Sequence, residues 1–252
     1  MKEEITCEIN NQKIYGLTIT PDNIEGKIPT VILCHGLTAN YKRMMDCAEL
    51  LKNYGIGSYI FDFRGGSDIT ISDGETEDMT VYSEVDDLNA VIDMVKTLDF
   101  VDTDKLYLLG HSQGGLVTAL VANKRIDEIN GLFLICPAFI IPDMSEELSG
   151  SAKISFDDSL SDWWFTTGKK ILSKKYLKIG KLINLFDDIT GFNKPVYIFH
   201  GNSDDIVPLS YSKTANEEYN NSKLMILDNE GHLFTNKGEQ TIINKISEII
   251  NK

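Results

Sequence analysis

Six short apolar runs, five to eight residues long, recur along this chain with helical patterns between most of them: VILCH (31–35), IGSYIFDF (56–63), KLYLLG (105–110), GLFLIC (131–136), PVYIFHG (195–201) and KLMILD (223–228). A strand that is apolar at consecutive positions has to be covered on both faces, unlike an alternating strand with one wet side. Such strands, separated by segments of 3.6-residue periodicity, define a mostly parallel sheet flanked by helices. The helical patterns fall at 41–54, ending near Gly55; at 83–98, with Val85, Leu88, Val91, Ile92 and Val95 on one face; from Leu116 to Asn123; and from Thr241 to Ile250. Ahead of the sheet, ITCEI and KIYGLTI flank Asn10 and Asn11, the pattern of a hairpin.

The interval 137–193 breaks this rhythm. It has no strong strand pattern, it carries both tryptophans (Trp163 and Trp164), and it has a Lys-rich helical stretch from Lys169 to Phe186. It reads as a small helical cap inserted into a single domain spanning 1–252, because about 55 residues support an independent core only with difficulty. At 252 residues the whole chain suits one large α/β domain.

With 24 Lys and Arg against 38 Asp and Glu, the net charge is −14. An acidic surface repels phosphate backbones and anionic membranes, so neither nucleic acid nor a membrane is an expected partner. The start, MKEEITCEINNQ, has no apolar core of a signal peptide, and no apolar run reaches the ~18 residues of a membrane span. Cys7, Cys34, Cys47 and Cys136 lack CxxC spacing, which fits thiols of a reducing cytoplasm better than disulfides or a zinc site. No metal or organic cofactor is expected.

Gly110-His111-Ser112-Gln113-Gly114 follows an apolar strand and precedes a helical pattern. In that context G-x-S-x-G forms a sharp strand-to-helix turn that exposes the serine Oγ, with the flanking glycines allowing close backbone packing. Ser112 is the candidate nucleophile. Of the four histidines, His35, His111 and His200 sit at strand ends or inside the turn, where structural roles are expected. His232 lies in the loop NEGHLF between the last strand and the C-terminal helix and is the candidate general base. HGNSDDIVP (200–208) offers Asp204 and Asp205 to orient that histidine; the H-G-x-x-D spacing favours Asp204, and Asp205 is expected to face solvent. His35-Gly36 ends the strand VILCH, where a loop supplies one N–H to an oxyanion and the residue after the nucleophile supplies the other. Those donors are the backbone N–H groups of Leu37 and Gln113.

Together these residues resemble the α/β-hydrolase superfamily, whose chain order is Ser, then Asp, then His. More narrowly the chain is similar to bacterial feruloyl (cinnamoyl) esterases, through HGLTAN (35–40), FDFRGGSD (61–68), SDGETEDMTVYSEVDD (72–87), GHSQGG (110–115), CPAF (136–139), HGNSDDIVP (200–208) and GHLF (231–234). The resemblance implies an α/β-hydrolase fold, a Ser112–Asp204–His232 triad and an acyl-enzyme route for a small-molecule ester. Two departures lie near the acyl site: the family's G-H-G-x-S is here Arg64-Gly65-Gly66-Ser67, and the often aromatic oxyanion position is Leu37. Trp163, Trp164, Phe165 and Tyr176 of the insertion could form an aromatic wall for an acyl group, or could only pack the insertion onto the sheet. A peptidase or lipase on the same fold, and a binding module without activity, are the competing readings, because fold alone does not determine function.

Overall fold

The computed structural model describes residues 1–144, 154–157, 164–167 and 170–252, and the side chains between 145 and 174 fall outside that description. The chain opens with β1 (Lys2–Glu4), then the hairpin β2 (Cys7–Ile9) and β3 (Gln12–Ile14), then β4 (Gly16–Ile19). Asn10 and Asn11 turn that hairpin at φ 52° and 61°, a conformation that asparagine tolerates better than most residues.

The parallel body follows. β5 (Ile28–Cys34) leads through α1 (Met45–Lys52) to β6 (Gly57–Phe61), and α2 (Val81–Val95) leads to β7 (Val101–His111). α3 (Gln113–Lys124) connects β7 to β8 (Gly131–Ile135). The insertion holds β9 (Ile154–Asp157), β10 (Trp164–Thr167), β11 (Lys170–Ser173), α4 (Lys174–Gly180) and α5 (Leu185–Ile189). β12 (Val196–Gly201), α6 (Leu209–Glu218), β13 (Ser222–Leu227) and α7 (Asn236–Ile250) complete the fold.

Eight strands form one sheet in the order β1-β4-β6-β5-β7-β8-β12-β13. The pairs β1/β4 and β4/β6 are antiparallel; every pairing from β6 onward is parallel. Two buried clusters cover its faces. One joins Ile32, Leu108, Leu132 and Ile198 to the apolar stripe of α2 and to α3. The other joins Leu33, Leu109, Phe133 and Phe199 to α1 and α7. Neighbouring residues of one strand thus serve opposite faces, which is why those strands read as unbroken apolar runs.

The expected helical cap needs correction. Helices α4 and α5 are present, but β9, β10 and β11 form a separate antiparallel sheet in the order β11-β10-β9. Each is only four residues, ISFD, WFTT and KILS. Runs that short carry too little periodicity to separate strand from helix, and their β-branched and aromatic residues were the remaining signal.

Candidate active site

The carboxyl ends of β5, β7, β8 and β12 converge on one cleft, the place where open α/β sheets bind ligands. β7 ends at His111, and Ser112 follows at φ 55° and ψ −122°, a backbone region hostile to side chains. Tight packing enforces it. A Cβ on Gly110 would lie 2.2 Å from the Gly114 carbonyl oxygen, and one on Gly114 would lie 2.5 Å from the Cys34 oxygen. The Ser112 N–H donates to the Ile135 carbonyl at 2.9 Å, and the Ser112 carbonyl accepts from Ala138 N at 2.8 Å. The serine is therefore locked between β7 and β8 and lines the cleft.

The loop after β5, which carries Gly36 and Leu37, is held by His35, which is buried. Its Nδ1–H donates to the Gly36 carbonyl at 2.8 Å, and its Nε2 accepts from Phe63 N at 3.2 Å. Ala39 N also donates to that carbonyl, at 3.2 Å. With the Gly36 oxygen held on that side, the trans peptide turns the Leu37 N–H the opposite way. Gln113 is the first residue of α3, so its N–H has no acceptor within the helix and sits at the positive end of the helix dipole. Leu37, Gln113 and Ser112 all line the same cleft. Gly36 permits the approach: a Cβ there would fall 2.9 Å from the Ser112 Cβ.

Asp204 follows β12 and His232 follows β13, and His232 lines the same cleft as Ser112. His232 Nδ1 lies 2.8 Å from Asp204 Oδ2. The same oxygen is 3.2 Å from His200 Nε2, while Oδ1 accepts from Ile206 N and Val207 N, each at 2.9 Å. Burial alone would raise the Asp204 carboxyl, but the hydrogen bonds from His200 and His232 and those from the backbone outweigh it and hold the group well below the usual carboxylate range. His200 is itself fixed, its Nδ1 accepting from Ser212 Oγ at 2.7 Å and its Nε2–H shared with the Val207 carbonyl at 3.0 Å. Asp205 is exposed and takes no part in the contact with His232.

The loop carrying His232 is pinned twice. His111 Nε2–H donates to the His232 carbonyl at 3.0 Å. Glu230 accepts from Thr235 N at 2.7 Å and from Thr235 Oγ1 at 2.6 Å. Sequence reading assigned His111 and His200 structural places. Here each holds a partner of the site, His111 through the His232 backbone and His200 through the Asp204 carboxylate. The i, i+4 spacing of His200 and Asp204 was the available signal.

The cleft holds about 330 Å³. Its walls are mainly apolar, with Leu37, Ala138, Ile140, Ile141, Met144, Tyr176 and Val207 around Ser112 and His232. Tyr176 reaches it from α4. Trp163 lies outside the described residues, and for Trp164 only its place in β10 is described. Among the described residues Cys136, Asp204 and His232 bring a sulfur, an oxygen and a nitrogen within 4.8 Å of one another. Burial and the Asp204 carboxylate push the Cys136 thiol well up, and the other two atoms already bind each other. This is a poor metal site at neutral pH.

A serine at a strained turn, a histidine tied to a buried carboxylate, and the backbone of Leu37 and Gln113 along the same cleft are the parts that acyl transfer calls for. The protein-family model described as "Serine aminopeptidase, S33" matches residues 27–177, more than half of the chain. The chain belongs to the serine aminopeptidase S33 family of hydrolases. The match contains Leu37, Ser112 and Gln113 and ends before Asp204 and His232. A curated protein of Escherichia coli from the traX-finO intergenic region is 26% identical over 151 residues, and the chain spans about half its length (58% of this chain, 51% of that protein). YqkD of Bacillus subtilis is 24% identical over 231 residues, covering 88% of this chain and 70% of YqkD. Among solved structures, ferulic-acid-bound Est1E from Butyrivibrio proteoclasticus is similar at 27% identity and a TM-score of 0.86, over 98% of this chain and 100% of Est1E. A monoacylglycerol lipase of Paleococcus ferrophilus shares the fold at a TM-score of 0.71 and 20% identity, over 94% of this chain and 98% of the lipase. The α/β-hydrolase fold that the motif resemblance implied is thus shared with hydrolases, and the resemblance to feruloyl esterases extends to the Est1E structure.

Proposed function

We propose that this hydrolase is a serine carboxylic-ester hydrolase acting through an acyl-enzyme on small aromatic esters of the cinnamoyl or feruloyl kind. The observation that carries the reading is Ser112 at a strained turn in an apolar cleft, opposite a histidine whose Nδ1 is 2.8 Å from the Asp204 carboxylate. His232 takes the Ser112 proton as Oγ attacks the ester carbonyl. The Leu37 and Gln113 N–H groups receive the oxyanion. The alcohol leaves with a proton from His232, and water, deprotonated by the same ring, then releases the acid. Asp204, kept ionised by its donors, fixes the histidine tautomer and balances the imidazolium.

An apolar cleft of about 330 Å³ suits a ring-bearing acyl group, and Est1E, which binds ferulic acid, is similar over nearly the whole chain. The family description raises aminopeptidase as a second reading. That chemistry calls for an acid to anchor a substrate amine, whereas the described residues lining the cleft include Arg43 and no carboxylate. The insertion acids Asp157, Asp158 and Asp162 have no described side chains. Four free cysteines support a cytoplasmic setting, and a net charge of −14 argues for small-molecule rather than nucleic-acid or membrane partners. No helix among the described residues is long and apolar enough to cross a membrane.

The test is a substrate panel: methyl ferulate, p-nitrophenyl esters of increasing chain length and aminoacyl anilides. Turnover of methyl ferulate and short esters, with Ser112 labelled by a fluorophosphonate, is the expected result. Cleavage of the anilides with no ester turnover would replace the esterase reading with the peptidase one.

A further inference from the structure

Gln113 supplies more than a backbone N–H. Its side chain is 1% exposed, and it meets two other buried polar groups from distant parts of the chain. Tyr176 of α4, fully buried, donates its hydroxyl to Gln113 Oε1. On the α2 side, Gln113 Nε2 lies 3.6 Å from Met79 Sδ, and the carboxyl group of Glu84 is buried close enough to the Gln113 amide to be influenced by it. Glu84 is 1% exposed, and its Oε2 has no partner.

A carboxyl group in that position is unusual. Charged and alone, it would cost several kcal/mol in an apolar interior. The nearby cation is already committed, since Arg64 Nε and the Arg64 backbone N–H donate to Asp87 at 2.6 and 2.8 Å. Burial, and secondarily Asp87 one turn along α2, push Glu84 well above its ordinary value against the pull of Gln113. The Glu84 carboxyl is therefore shifted towards its uncharged form.

The geometry points to Glu84 and Tyr176 as positioning residues that clamp the Gln113 side chain from α2 and from α4, so that its backbone N–H stays aimed into the cleft. Neither residue need touch the reacting atoms. Seating α4 against the elbow and completing the oxyanion site become one event, because the Tyr176 hydroxyl that docks the insertion is the group that fixes Gln113. The inference rests on the proposed role of the Gln113 N–H and extends it to side chains that sequence spacing did not connect.

Three variants and two readouts decide it. Glu84→Ala and Tyr176→Phe should each lower kcat about 10-fold or more, less than outright loss of an oxyanion donor, with KM changed no more than about 3-fold. Both should weaken binding of phenylboronic acid, whose tetrahedral adduct on Ser112 mimics the oxyanion, by a factor that follows kcat. Glu84→Gln, a neutral isostere, should restore most of what Glu84→Ala loses. Unchanged kcat and boronate affinity in Tyr176→Phe would overturn the clamp. So would a Glu84→Gln variant as impaired as Glu84→Ala, or losses confined to melting temperature. Wild-type protein that binds the boronate yet hydrolyses no ester would sink the substrate reading and leave the boronate series to decide the clamp. Wild-type protein that binds no boronate would overturn the clamp.

Discussion

Asp204 Oδ2 stands 2.8 Å from His232 Nδ1, while Asp205, the next residue, is exposed to solvent. Two adjacent carboxylates so differently placed give an internal control. Asp204→Asn should lower turnover by about 10³–10⁴-fold, by mis-setting the histidine tautomer. Asp205→Asn should change it less than about 3-fold, the ordinary range for an exposed loop residue. Steady-state kinetics on one ester decides between them; equal losses would mean that loop structure rather than the carboxylate is being read.

Ser112 holds a backbone conformation that costs about 1–3 kcal/mol in a residue with a Cβ. Ser112→Ala removes the nucleophile and keeps that strain, whereas Ser112→Gly removes both. Both variants should be inactive, and Ser112→Gly should resist urea better than Ser112→Ala by about 1 kcal/mol. Residual turnover above a few per cent in either would remove Ser112 from its role.

Gly36 faces Ser112 so closely that a Cβ would lie 2.9 Å from the Ser112 Cβ and 3.3 Å from the His111 carbonyl oxygen. Neither neighbour can yield without moving the turn, and Leu37 follows directly. Gly36→Ala should therefore fold, as judged by far-UV circular dichroism, and lose at least about 10-fold in kcat through a displaced Leu37 N–H. Full activity would show that the Leu37 N–H is not an oxyanion donor.

Burial, aided by the nearby His232 ring and Arg43, pushes the His111 imidazole down to about 3 from an ordinary 6.5. It is a base whose folded value is depressed. Its contribution is thus complete above about pH 6.5 and is lost as pH falls towards 3, because the unfolded chain takes up a proton that the folded chain refuses. The slope approaches 1.4 kcal/mol per pH unit. Between pH 7 and pH 5 the native protein should lose about 2 kcal/mol more than His111→Gln in urea titrations. Parallel losses would show that His111 protonates in the fold.

The main sheet was legible because its strands are buried on both faces and so are written as continuous apolar runs. Val31 to Cys34 and Leu106 to Gly110 are such runs, and they are hydrogen-bonded partners in the structure. Ser112 was legible because the turn demands glycines at fixed offsets, and Asp204 because a sharp loop demanded a fixed spacing from His200. The strands of the insertion were not, since four residues cannot display a period. Nor was the Glu84–Gln113–Tyr176 cluster. Its members lie 29 and 63 positions apart and belong to three helices, and a buried glutamate on an otherwise amphipathic helix looks like any solvated one until the neighbouring helices are in place.

The order of strands has a consequence for how reactivity is acquired during folding. Leu37 follows β5, Ser112 follows β7, Asp204 follows β12 and His232 follows β13, so the site draws on four separate strand ends across the sheet. Parallel neighbours of this kind are joined by distant stretches of chain and assemble late and together. A serine-directed probe added during refolding would therefore act as a clock for the whole sheet, silent while β12 and β13 are undocked and responding only once the last strand has closed against its neighbour.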